Sequence, residues 1–70
     1  MIFVSYHYYA PYESGEMHSD YGNIFLSCQE PKDEDALQNI EGLIQHDIRH
    51  RIGFENSAVT VLNFKTIKET

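Results

Sequence analysis

His46 and His50 stand four residues apart in a stretch of helical pattern, so their rings share one side of a helix. With His7, His18 and Cys28 they are the side chains that a transition metal would select. The set is thin, because structural zinc sites use closely spaced Cys/His pairs and one cysteine cannot supply them. Two solvated histidines near a helix C-terminus also complement its dipole, so no metal site is expected. His46-Asp47 and His18-Asp20 put an imidazole near a carboxylate, but such a dyad needs a nucleophile, an oxyanion site and a pocket that excludes water. Ser5, Ser14, Ser19, Ser27 and Ser57 lie in no Gly-x-Ser-x-Gly context. Cys28 follows apolar strand residues and reads as a small buried hydrophobe rather than a thiolate. Four scattered glycines form neither a phosphate loop nor a dinucleotide fingerprint. The expectation is a protein with no catalytic residues and no cofactor.

Recognition is the better-supported chemistry. All five tyrosines, Tyr6, Tyr8, Tyr9, Tyr12 and Tyr21, fall in the first 21 residues. Tyrosine offers a large contact area with a hydroxyl that tolerates water, which is why it is enriched in binding hot spots. Tyr6 suits the core. Tyr9, Tyr12 and Tyr21 flank Pro11 and Gly22 beside Glu13, Glu16 and Asp20, which makes an aromatic and acidic surface suited to a basic partner. Those six residues, Tyr9, Tyr12, Glu13, Glu16, Asp20 and Tyr21, are the candidate partner-binding set. Nucleic acid could stack on the rings, but without adjacent Lys or Arg its phosphates would be repelled.

The elements that must carry these side chains follow from periodicity. Ile2, Val4, Tyr6 and Tyr8 alternate along a strand over residues 2–10, which Pro11 ends because it has no N–H to donate. Residues 11–22 lack periodicity and read as a long hairpin loop, with Gly15 and Gly22 placed to reverse the chain. A second strand spans 23–29, with Ile24, Leu26 and Cys28 on one face. Asp33 is an N-cap for a helix over 34–52, with Glu34 and Asp35 in its first turn. Leu37, Ile40, Leu43, Ile44, Ile48 and Ile52 form its apolar stripe. Gly53 suits the position after the helix, with Phe54 folding back on Ile48. A third strand covers 57–67. The predicted fold is α+β: a β-β-α-β layer, with one helix on one face of a three-stranded antiparallel sheet arranged as a meander.

One helix covers one face. Ile2, Val4, Tyr6, Ile24, Leu26, Val59 and Val61 would fill it, leaving Phe3, Phe25, Leu62 and Phe64 with the opposite parity. A bulge could return some of these to the core. Otherwise they form an apolar patch that a second copy would cover, and a homodimer through Phe3, Phe25, Leu62 and Phe64 is expected. The exposed edge of the first or third strand offers a second route to the dimer, by sheet extension.

Composition narrows the classes. The 70 residues hold eleven acidic and five basic side chains, a net charge of −6, which argues against direct binding of nucleic-acid backbone. An apolar fraction of 41% is too high for a disordered tail. A lone cysteine, no long apolar run and no basic leader suggest a single cytoplasmic domain without membrane or disulfides.

In this order of elements the chain resembles the short proteins carried by phages and prophages of bacteria. The shared features are the aromatic first strand around Ser5-Tyr6, Gly22-Asn23 opening a strand, the acidic-capped helix with Ile40-Glu41, and the closing Val59-Thr60-Val61-Leu62-Asn63-Phe64. The resemblance covers most of the chain, and loop 11–22 is longer than the glycine-rich hairpin it leads one to expect. It implies a binding protein that occupies the working surface of a host defence or nucleic-acid enzyme, as inhibitors of CRISPR effectors do. The alternative it implies is a homodimer that binds or sequesters a small nucleotide signal.

Overall fold

The computed structural model describes residues 1–67. The elements are β1 (Ile2–Pro11), β2 (Met17–Leu26), α1 (Glu34–Arg51) and β3 (Ala58–Thr66). They form an α+β layer, one helix on one antiparallel sheet of three strands. The strand order is β2-β1-β3, so the arrangement is not a meander: β1 is central and both partners run antiparallel to it. Chain composition accounts for this. β1 carries the richest alternation, with Ile2, Val4, Tyr6, Tyr8 and Ala10 all buried, and the centre of the sheet is where such a strand loses most water. The edges belong to β2 and β3, and the first strand offers none.

The hairpin differs from the expected long loop. β2 starts at Met17 rather than Asn23 and ends at Leu26, and the reversal needs only residues 12–16. The Gly15 N–H donates to the Tyr12 carbonyl at 2.9 Å, and the Tyr12 N–H donates to the Glu16 carbonyl at 2.7 Å. Gly15 takes a positive φ of 89°, a conformation a side chain would strain. Residues 17–22 pair without apolar alternation because cross-strand contacts replace it. His7 lies edge-on to Tyr21 at 5.0 Å, with its Nε2 2.6 Å from the Ser19 hydroxyl, and Ser5 donates to Asn23 at 2.9 Å.

Helix α1 is capped as its sequence dictates. Asp33 accepts from the Ala36 N–H at 2.8 Å, and the Gly53 N–H donates to the Ile48 carbonyl at 3.0 Å with Gly53 at φ 97°. Ile52 is the C-cap rather than the last helical residue. The buried stripe is narrower than expected. Ile40, Ile44 and Ile48 are buried, whereas Leu43 and Ile52 fall at its rim and are half exposed. Phe54 packs on the hairpin end, stacked on His18 at 5.3 Å and tilted against Tyr12 at 5.6 Å.

A bulge corrects the expected dimer patch. The register of β3 shifts between Ser5 and Tyr6, where Asn63 and Val61 are the partners and Leu62 is the extra residue. Val59, Val61 and Phe64 thereby come to one side and pack on the core. Phe64 therefore does not belong to the open face. Phe3 and Phe25 do, with rings 4.8 Å apart.

Tyr6 fixes the centre of the sheet. Its cross-strand partner is Gly22, and a Cβ built there would meet the Tyr6 ring at 2.5 Å. The hydroxyl end of the ring occupies the space beside the glycine, so no other residue fits without moving it. Gly22→Ala is expected to cost about 1–3 kcal/mol in urea unfolding. Gly42→Ala, at an exposed position in α1 with nothing near the added carbon, should gain about 0.5–1 kcal/mol. Equal effects from the two would refute the role given to Tyr6.

Candidate binding surfaces

Two surfaces remain once the core is filled. The first is the open face of the sheet. β1 presents Phe3, Ser5, His7 and Tyr9 there, β2 presents Met17, Ser19, Tyr21, Asn23 and Phe25, and β3 presents Ala58, Thr60, Asn63 and Lys65. Tyr21 is 72% exposed and Phe25 60% exposed, far more than a core position allows. Phe3 and Phe25 also border a shallow groove of about 610 Å³ with Lys65 and Ile67. None of these strand positions carries a carboxylate, although the chain has eleven. Among the described residues, the carboxylates lie at the turn, on the helix side of β2, at the β2–α1 connection, on α1 and just after it.

The second surface is the hairpin tip. His18 is half buried on the helix side of β2 and bridges two phenols, with Nδ1 2.9 Å from the Tyr12 hydroxyl and Nε2 3.4 Å from that of Tyr8. One imidazole nitrogen donates and the other accepts in either tautomer, and a phenol can answer both ways, so the bridge holds with the proton on either side. Phe54 seals this cluster. Its loop is held by two α1 side chains: Gln45 donates to the Ser57 carbonyl at 2.8 Å and Arg49 to the Glu55 carbonyl at 3.2 Å. A half-open cleft of about 450 Å³ lies between turn and loop, lined by Pro11, Tyr12 and Glu13 on one side and by residues 53–56 on the other.

The six residues expected to form one partner-binding surface are divided between these two. Tyr9 and Tyr21 belong to the open face, Tyr12, Glu13 and Glu16 to the tip, and Asp20 to the helix side of β2 opposite Tyr8. Of the expected dimer residues, Phe3 and Phe25 share the open face and Leu62 is exposed at the bulge. Sequence reasoning missed Phe54 and Glu55 at the tip, because the contact that brings them to Tyr12 spans about forty residues and leaves no local signal. His46 and His50 lie with rings 4.3 Å apart on the exposed side of α1. Among the described residues no group of three or more His, Cys, Asp or Glu side chains gathers as a metal site would require. No described helix is long and apolar enough to cross a membrane.

The electrostatics of the core centre on the phenols. Burial pushes the Tyr6 hydroxyl above its ordinary 10.0; the neighbouring Arg51 guanidinium opposes the rise and Asp47 reinforces it. Arg51 and Asp47 themselves form an ion pair at 2.6 Å one helical turn apart. Burial raises Tyr8 likewise, with Asp20 adding to it. A group that ionises less readily when folded stabilises the fold fully below its unfolded value, and that contribution is lost as pH rises through the folded one. Melting temperature should therefore fall once pH passes 10.0, and Tyr8→Phe should flatten part of the fall. A melting temperature that stays level from neutral to strongly alkaline pH would contradict this account.

Compared with protein-family models, with curated proteins and with solved structures, the chain matches none.

Proposed function

We propose that this chain is a non-catalytic binding protein that inhibits a host defence or nucleic-acid enzyme by covering its basic working surface, and that it acts as a homodimer joined through the open face of the sheet. The observation that carries the reading is the segregation of charge. In a protein of net charge −6, one broad face has no carboxylate among the described residues, while the turn, the helix side of β2, the helix and its flanking connections hold the acidic groups. Two like-charged chains repel wherever carboxylates face each other, so the acid-free aromatic face is where two copies meet at least cost. Tyr21, Phe25 and Phe3 supply the contact area, and the helices then point outward with the acidic groups displayed. An acidic exterior meets a basic partner, and a surface that binds nucleic acid is basic. The resemblance to short phage proteins supports the choice of a defence or nucleic-acid enzyme.

Sedimentation should give a mass of twice 8.2 kDa at micromolar concentration, and Tyr21→Glu with Phe25→Glu should return the folded monomer. Wild-type protein sedimenting at 8.2 kDa would overturn the dimer. For the inhibitor reading, tagged protein should retain one nucleic-acid or defence enzyme in stoichiometric amount from bacterial lysate at low salt and lose it at high salt. A bait that retains nothing at low salt would overturn it.

A further inference from the structure

The cleft at the hairpin tip has the chemistry of a receptor for one cation. Its aromatic lining is one cluster: the Tyr12 ring packs against Phe54 with centroids 5.6 Å apart at 60°, and Phe54 is in turn stacked on His18. Glu13 and Glu55 line the same space of about 450 Å³ from opposite sides, and neither carboxylate has an ion-pair or hydrogen-bond partner among the described residues. Gly53 forms part of the lining at φ 97°, a conformation that selects glycine, so that stretch of wall stays bare of side chain. Arg49 donates to the Glu55 backbone carbonyl at 3.2 Å rather than to its carboxylate. Ring faces attract a positive charge through their quadrupole, and paired carboxylates add charge-assisted hydrogen bonds. An anion would meet two carboxylates, and a purely apolar group would leave them unanswered.

We propose that this cleft binds a single guanidinium or ammonium side chain, an arginine or lysine presented by a protein partner. The inference rests on the reading of a basic partner given above and names the contact by which that partner is read. A half-open cleft admits a side chain that projects from a surface, whereas a free small molecule would need fuller enclosure. Arginine suits it better than lysine, because its planar group stacks on the exposed Tyr12 ring while its N–H groups reach a carboxylate.

The test is an amide-resolved NMR titration with N-acetyl-arginine amide, with N-acetyl-citrulline amide as the uncharged match. Arginine amide should shift the Tyr12, Gly53 and Phe54 signals and citrulline amide should not. Glu13→Gln with Glu55→Gln, both at exposed positions, should weaken the response at least tenfold while leaving melting unchanged. Equal shifts from citrulline amide, shifts confined to other residues, or an unaltered response in the double variant would overturn the proposal. Arginine amide binding here with no enzyme retained from lysate would support the cleft and overturn the inhibitor reading alone.

Discussion

The Tyr6 ring lying across Gly22 is the constraint on which the remaining structure depends. A large side chain on the central strand crosses its partner strand only because that partner has no Cβ in the way. The crossing brings the phenol close to Arg51 and Asp47 near the end of α1. One contact thus fixes the hairpin register, covers the gap that a glycine leaves in a sheet, and meets the helix at its C-terminal turn. A register slip by one residue would set the ring against Tyr21 or Asn23 and turn the buried row of β1 toward water.

From that register follows the division of the surface. The helix side of the sheet is filled by the even residues of β1, so its odd residues and their partners must face away from α1. Those positions on β1 and its partners carry aromatic, hydroxylic, amide and a few apolar side chains with Lys65, and among the described residues the acidic ones are confined to the tip, the helix side of β2, the connections and the helix. Electrostatic segregation in a domain this small is a property of strand parity. An acidic residue inserted at one odd position would break it, whereas the same residue on the outer side of α1 would not.

The sequence made the helix, its caps and the alternation of β1 legible, because each is written in neighbouring residues. Asp33, the Ile40–Ile44–Ile48 stripe and Gly53 are local statements. The first half of β2 was not legible: His18, Ser19 and Asp20 have neither apolar alternation nor strand propensity, Tyr21 stands alone beside Gly22, and they pair because β1 presents ten residues to pair with. Phe64 was misassigned for a similar reason, since the bulge at Leu62 is fixed by fit to β1 and changes parity without a glycine to announce it. At the candidate site, Tyr12 and Glu13 were visible as an aromatic and acidic pair. Their counterparts Phe54 and Glu55 were not, because the cap at Gly53 permits several exits and the packing of His18 selects among them.

The central place of β1 also sets an order of events. Its ladder with β2 closes across a short turn, whereas its ladder with β3 joins Ile2 to Thr66 and must wait for about sixty residues of intervening chain. During synthesis the most apolar strand therefore has one side paired and the other bare until β3 arrives. Loop-closure entropy makes that second ladder the slow step. In that interval the bare side of β1 is an open strand edge, to which a chaperone or β3 of a neighbouring chain can bind first.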